Sequence, residues 1–393
     1  MKNDRWLLPE GIEEILPPRA EQLDATLRRL LDLFKSWGYE LVMPPFIEYL
    51  ESLLTGTGND LDLQTFKLTD QLTGRLMGLR ADMTPQVARI DAHCLKRDVP
   101  TRLCYMGTVL KTLPPTHGGN RSPMQVGAEL YGHAGIESDV EVLRLMVRTL
   151  QCAGIEHVYL DLGHVGIFRG LAQQANLDSE CEARLFDALQ RKAKPEIASL
   201  LAERALPESL HRMLDALADL HGDDAVLDRA ASVLAGADAS VLAALDNLRQ
   251  IAAAISNLEG VSLHFDLAEL RGYHYHTGAV FAAFVPGQGQ AIAQGGRYDD
   301  IGKVFGHARP ATGFSTDLKN VLSLVAAKTD EVRGIFAPCE ADDALARQID
   351  ALRDAGERVI QALPGQQGGA AEMGCDRELV LQGGSWQAVA VNK

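Results

Sequence analysis

An α+β fold is the architecture that this sequence of 393 residues predicts. We expect a mainly antiparallel sheet flanked by helices, a helical insertion, and a small C-terminal α/β unit. Three observations point there. Paired runs of apolar and β-branched residues flank short Gly or Pro punctuation, at 65–69 with 75–80, 103–112 with 124–131, and 279–285 with 290–294, which is the pattern of hairpins. From about 170 to about 260 the chain turns rich in Ala and Leu with charges between, which suits several short helices. From 331 onward, strand and helix signals alternate around a single helix. The expected domains are therefore 1–330, holding the insertion, and 331–393.

Taken in order, Pro17-Pro18 suits a helix start, and Leu23, Leu27, Leu30, Leu31 and Phe34 recur at three and four residues. Gly38 stops that helix. A strand over 39–47 follows, broken by Pro44-Pro45. The hairpin over 65–80 turns near Gly74 and runs into Leu79-Arg80-Ala81-Asp82-Met83-Thr84. Thr84 then reads as an N-cap, with Pro85 at the first helical position.

Residues 102–132 read as two strands joined by a loop holding Pro114-Pro115 and Gly118-Gly119. A helix over 137–154 and a strand over 156–162 follow. After the insertion come a strand over 261–265 and the segment Leu270-Arg271-Gly272-Tyr273-His274-Tyr275-His276-Thr277-Gly278. Read as a strand, it would put His274 and His276 on one face. Gly295-Gly296-Arg297-Tyr298-Asp299 reads as a turn whose glycines let the backbone approach a small ligand closely, the other reading being a tight turn alone. In the tail we expect strands near 334–337, 358–363, 379–381 and 386–391, with a helix over 341–355 stopped by Gly356.

Composition narrows the function classes. Lys+Arg 38 against Asp+Glu 53 gives a net charge of -15, which disfavours a dedicated nucleic-acid binder. The six cysteines, Cys94, Cys104, Cys152, Cys181, Cys339 and Cys375, form no C-x-x-C pair, so neither a zinc knuckle nor a disulfide framework is suggested. No metal or cofactor is expected. The N-terminus lacks an apolar core, and no run approaches the roughly 18 apolar residues of a membrane span, so a soluble, cytoplasmic protein is expected.

Several of these stretches together resemble the class II aminoacyl-tRNA synthetases, and most closely the histidyl enzymes. Residues 17–47 are similar to motif 1, 102–132 to motif 2, and 310–320 to motif 3. Gln125-x-Gly127-x-Glu129 keeps the family's amino-acid-pocket signature. Asp82 and Thr84 fall where an acid and a Thr hold the substrate's ammonium. Arg271 and Tyr275 are kept from the histidyl-specific segment, and that Arg lies between the amino acid's carboxylate and the ATP phosphate. The resemblance thus implies a histidine-binding set of Asp82, Thr84, Gln125, Glu129, Arg271 and Tyr275, with Glu129 facing the imidazole. His276 stands where the family has a Tyr.

The nucleotide contacts differ. The family's phosphate-gripping Arg falls on Lys111, its adenine-contacting Glu on Leu113, and its terminal-phosphate Arg on Asn320, with Asp317 nearby. One group of relatives has this pattern and a shortened tail: the regulatory subunits of ATP phosphoribosyltransferase in histidine biosynthesis. That resemblance implies no catalysis by this chain, hetero-oligomeric assembly with a short-form catalytic subunit, allosteric feedback regulation by L-histidine, a dimer through motif 1, and no tRNA binding. Two other readings are a trimmed, active histidyl-tRNA synthetase or histidine-activating ligase, and a histidine-binding module with an unrelated partner.

Overall fold

The computed structural model describes residues 6–55, 59–114, 119–269, 272, 275–306, 308–325 and 334–391. It divides into two compact units, Met1–Ala326 and Ala327–Lys393.

The first unit opens with α1 (Arg19–Ser36), which buries Leu23, Leu30 and Phe34 on its apolar stripe. Gly38, at φ +82°, takes the left-handed conformation that ends it. The strand expected over 39–47 is instead two short strands in two sheets, β1 (Glu40–Leu41) and β2 (Ile47–Tyr49). Pro44-Pro45 removes two ladder donors between them. After α2 (Leu50–Leu53) and α3 (Asn59–Gln64), β3 (Lys67–Thr69) and β4 (Leu76–Leu79) form the expected hairpin, and the small sheet runs β2-β4-β3. α4 (Thr84–Arg89) passes into a π-helical turn over 90–95. Thr84 is not the cap expected of it. It is the first helical residue, and its N–H donates to Asp82 Oδ1 at 3.0 Å, so the acid does the capping.

The main sheet is then built from β5 (Thr101–Thr108), β6 (Met124–Tyr131), β7 (Val158–His164), β8 (His221–Gly222), β9 (Val261–Asp266), β10 (Ala279–Phe284), β11 (Ala293–Arg297) and β12 (Ala311–Asp317). With β1 it has nine strands in the order β1-β5-β6-β12-β11-β10-β7-β9-β8. Only the β1–β5 and β7–β9 pairings are parallel. α5 (Ile136–Cys152), α6 (Val165–Gln174) and α1 share one large core with this sheet. The insertion is helical as expected, with α7 (Ser179–Gln190), α8 (Lys194–Ala202), α9 (Glu208–Ala216), α10 (Ala225–Val233) and α11 (Ala239–Ile255). The short α12 (Leu318–Ser323) follows β12.

Two local expectations are corrected. Gly295-Gly296-Arg297 is not a turn but part of β11. The segment before β10 is not strand where it is described: the N–H groups of Tyr275 and His276 both donate to the Gly272 carbonyl at 2.7 Å, a turn. The proposed strand pair of His274 and His276 therefore fails at His276, and His274 lies outside the described residues. Among the described residues no group of three or more His, Cys, Asp or Glu is placed to hold a metal ion, and no helix is long and apolar enough to cross a membrane.

The second unit holds β13 (Ile335–Ala337), α13 (Asp343–Asp354), β14 (Val359–Gln361), β15 (Arg377–Gln382) and β16 (Ser385–Ala390), in sheet order β14-β13-β15-β16. Ile335, Leu345, Ile349, Leu379 and Trp386 form its core, and the Trp386 indole donates to Asp342 at 2.7 Å, at the start of α13.

Candidate functional site

A cavity of about 270 Å³ opens on the sheet face where β6, β12 and β11 meet the start of α4 and the 272–276 turn. Asp82, Thr84, Glu129, Tyr275, His276 and Tyr298 line it. Two glycines keep its floor low. A Cβ on Gly313 would collide with the Glu129 carboxyl, and one on Gly296 would lie 2.6 Å from the Ala279 carbonyl and 2.8 Å from the His276 ring. Both are strand residues, so close approach rather than backbone torsion calls for glycine there.

One hydrogen-bonded chain organises the polar side. Gln125 Oε1 accepts from the Met83 N–H at 2.9 Å, and its Nε2 donates to Asp82 Oδ1 at 2.7 Å. Thr84 Oγ1 lies 3.0 Å from the Tyr105 phenol, which donates to Glu129 Oε1 at 2.9 Å. The phenol has one hydrogen, so Thr84 is the donor of that pair. Glu129 Oε2 accepts from Tyr298, whose ring stacks on Tyr275 at 4.9 Å. The Tyr275 hydroxyl is buried and has no hydrogen-bond partner among the described residues.

Burial pushes the Glu129 carboxyl up to about 8, against the phenol bonds from Tyr298 and Tyr105 that hold it down and with a further push from Asp82. Burial first, and then the Glu129 charge, lifts the phenols of Tyr105, Tyr131, Tyr275 and Tyr298 well above their ordinary value. At neutral pH the cavity thus offers neutral phenols around a carboxyl that gives up its proton reluctantly, with Asp82 opposite.

The structure brings Asp82, Thr84, Glu129 and Tyr275 together around the cavity, and Gln125 beside them as the residue that holds Asp82. Arg271 lies outside the described residues. Glu129 lines the cavity with a phenol hydrogen-bonded to each of its oxygens. Sequence reasoning passed over Tyr105 and Tyr131, since an aromatic on a strand reads as ordinary core, and named Tyr298 only within the 295–299 turn. It also missed the anchor of β11. Arg297 donates to Asp139 Oδ2 at 2.9 and 3.1 Å, to Ser138 Oγ at 2.8 Å and to the Gly135 carbonyl at 3.1 Å. That ties the cavity floor to the start of α5.

Lys111, Leu113 and Asn320 do not line this cavity. Leu113 is exposed, and the backbone of Lys111 pairs with that of Arg121. The Arg121 guanidinium donates to the carbonyls of Lys111 at 3.0 Å and Glu10 at 3.1 Å. Asp317 Oδ1 accepts from the N–H groups of Met124 at 3.0 Å and Lys319 at 3.1 Å, so it caps α12 and pins it to β6. Lys319 is buried, with Nζ 3.3 Å from Ser122 Oγ and 3.9 Å from Glu13. These charges hold backbone and one another.

Comparison with known proteins agrees with this geometry. Residues 11–321 match the family model for histidyl-tRNA synthetase, and residues 332–389 match that for the C-terminal domain of the ATP phosphoribosyltransferase subunit HisZ. A protein of Thioalkalivibrio sulfidiphilus (strain HL-EbGR7), named ATP phosphoribosyltransferase regulatory subunit, is 64% identical over 96% of each chain. One of the same name from Alkalilimnicola ehrlichii is 59% identical over 98% of this chain and 97% of its own. Among solved structures, an ATP phosphoribosyltransferase regulatory subunit/histidyl-tRNA synthetase from Bacillus halodurans superposes with a TM-score of 0.83 at 26% identity, covering 94% of this chain and 96% of its own. The histidyl-tRNA synthetase of Nostoc sp. PCC 7120, at 18% identity and TM-score 0.78, covers 98% of this chain and 97% of its own and shares the fold. With family models matching over 11–321 and 332–389, and relatives of that name 64% and 59% identical over nearly the full chain, the chain belongs to the ATP phosphoribosyltransferase regulatory subunits.

Proposed function

We propose that this chain carries no aminoacylation chemistry, assembles with a short-form ATP phosphoribosyltransferase catalytic subunit in the cytoplasm, and binds L-histidine in the cavity as the feedback signal. One observation carries the reading: the amino-acid end of the synthetase-like site keeps converging polar groups, while the nucleotide end has turned its charges to structural ties. Asp82, held by Gln125, offers a carboxylate to the ligand's ammonium, and Thr84 stands beside it. The stacked rings of Tyr275 and Tyr298, with Glu129 behind, suit an imidazole, and the unpartnered Tyr275 hydroxyl awaits a polar atom. Arg271 would pair with the carboxylate, as guanidinium groups do bidentately. An adenylating enzyme needs arginines or metal on the phosphoryl groups, worth on the order of 10³–10⁵ in rate. Lys111 and Asn320 do not supply that pair.

The exposed apolar residues Leu41, Met43, Phe46 and Ile47 support self-association through Pro17–Ile47 in a two-fold arrangement. The acidic balance of the chain argues against a tRNA ligand.

Calorimetry of the full chain with L-histidine is the test, paired with histidine-dependent pyrophosphate exchange and a pull-down against a short-form catalytic subunit. Saturable histidine binding, no exchange above background and capture of the catalytic subunit are expected. Measurable exchange overturns the loss of activation, and absence of capture overturns the assembly.

A further inference from the structure

A second concavity, about 380 Å³, lies between α6 and α11 and ends at Thr277. Small residues line much of it, Gly166 and Gly170 from α6 and Ala243 and Ala244 from α11. The glycines let the helices approach closely: a Cβ at Gly166 would rest 3.4 Å from Ala244 Cβ, and one at Gly170 would press within 2.6 Å of Val241. Helix packing thus accounts for the glycines. It leaves the polar lining of His164, Gln173, Ser240, Asn247 and Thr277 unexplained.

Three of these side chains keep hydrogen-bonding capacity that the fold leaves unused. His164 is only 9% exposed, and its Nδ1 accepts from the Gly166 N–H at 3.1 Å. The ring proton is therefore on Nε2, and that N–H meets no acceptor among the described residues. Burial first, then the charges of Arg169 and Arg297, push the His164 pKa down to about 4, so at neutral pH this is an uncharged donor. Thr277 Oγ1 accepts from the Asp299 N–H at 3.0 Å and keeps its own hydrogen to donate. Asn247 supplies the opposite polarity, since its Oδ1 is buried and has no hydrogen-bond partner among the described residues. Arg169 also lines the groove, but its guanidinium is bonded to the His276 carbonyl at 3.1 Å and is not free. A buried donor and a buried acceptor left unpaired are unfavourable, and a molecule that offers both would satisfy them together.

We infer that the groove between α6 and α11 is a second ligand site, for a neutral molecule that carries a carboxamide. A carbonyl oxygen has two lone pairs, enough for the His164 N–H and the Thr277 hydroxyl, and the amide nitrogen has hydrogens for Asn247 Oδ1. A carboxylate of the same shape brings no hydrogen to that oxygen and would lose its hydration without gaining a free cation. The glycines and alanines of the two helices leave space for a flat apolar body beside the amide. The site does not depend on what fills the first cavity.

Calorimetric titration of the full chain with benzamide and, separately, with benzoate, at matched ionic strength, tests the site. The two probes share a shape and differ in charge and in the amide hydrogens. Saturable benzamide binding in the millimolar range is expected, with benzoate weaker by roughly tenfold or more. Asn247→Leu removes the acceptor and should weaken benzamide roughly five- to tenfold, the scale of one hydrogen bond. Asn247→Asp keeps an acceptor in nearly the same shape, and should hold benzamide to within about threefold of the parent while weakening benzoate further. Ala243→Trp, at an exposed position on the groove, should fill it and abolish binding. No saturable benzamide binding leaves the groove to water and overturns the site. Benzoate that binds as tightly as benzamide overturns the neutral ligand, and benzamide binding that Asn247→Leu or Ala243→Trp leaves unchanged lies elsewhere and overturns the assignment to this groove.

Discussion

Two buried carboxyls sit toward opposite ends of one strand pair. Glu129, on β6, lies opposite Gly313 of β12; four residues earlier Gln125 lies opposite Asp317. Burial raises both. Their partners differ. Glu129 is held by the side-chain phenols of Tyr105 and Tyr298, and it lines a cavity. Asp317 is held by the backbone N–H groups of Met124 and Lys319, and it ends a strand. Phenols can turn toward a ligand, whereas backbone amides are committed once the fold forms. Side-chain partners therefore hold the carboxyl that lines the cavity, and backbone partners hold the one that ends the strand.

The pair should separate most clearly in pH dependence. Glu129 goes from an ordinary 4.5 to about 8 in the folded chain. The stability tied to its proton is complete below about 4.5 and is lost as pH rises to about 8. At about 1.4 kcal/mol per pH unit the upper limit is about 5 kcal/mol. Denaturant titrations of Glu129→Gln from pH 5 to 8 should show a flatter profile than the parent. Asp317→Asn should alter the slope far less, because its backbone bonds oppose the burial. Equal slopes would erase the distinction. His164, lowered from 6.5 to about 4, has the opposite sign: its contribution is complete above about 6.5 and is lost as pH falls toward 4.

Ligand affinity comes next. Arg271→Ala should weaken L-histidine binding about a hundredfold, since an unpaired carboxylate in a partly dry cleft costs a few kcal/mol. Calorimetry reads this directly, and feedback inhibition of the reconstituted complex should shift in parallel. Inhibition that does not shift would move the sensor out of this cavity.

Asp317→Ala should lower stability by about 1–2 kcal/mol, through loss of the α12 cap and of the partner of the Met124 N–H, with histidine affinity unchanged. A large affinity loss would show the two ends coupled. The smallest effect belongs to the variant carrying Lys111→Arg, Leu113→Glu and Asn320→Arg together. It should show no pyrophosphate exchange above background, because Arg121 and Asp317 stay bound to backbone and Lys319 to Ser122 and Glu13. Appearance of exchange would mean that the nucleotide end is only dormant.

Much of this was legible in the sequence, and for identifiable reasons. The β5–β6 hairpin, α1 and the helical insertion follow from periodicity and punctuation, which local physics enforces. Asp82, Thr84, Gln125 and Glu129 were legible as a set through the resemblance of their segments to the synthetase motifs, and the structure brings them to one cavity. The three tyrosines that surround Glu129 were not, since their role lies in strands brought together from 105, 131 and 298. Gly295-Gly296 reads as a turn because glycine pairs usually relax the backbone. Here they serve close approach across strands, which no local pattern reveals. Pro44-Pro45 marked a break, but not that its two sides would join different sheets.

The floor glycines bear on how such a site is lost. Gly127 sits under the Tyr105 ring, and a Cβ there would stand 2.5 Å from Tyr105 Cζ and 2.6 Å from the Phe314 carbonyl. Gly313 sits just as tightly under Glu129. A single methyl group at either place must displace Tyr105 or Glu129 while every acid, amide and phenol around the cavity stays in the sequence. The absence of an atom at two strand positions thus determines where the Tyr105 ring and the Glu129 carboxyl can stand, as firmly as the hydrogen bonds around them do.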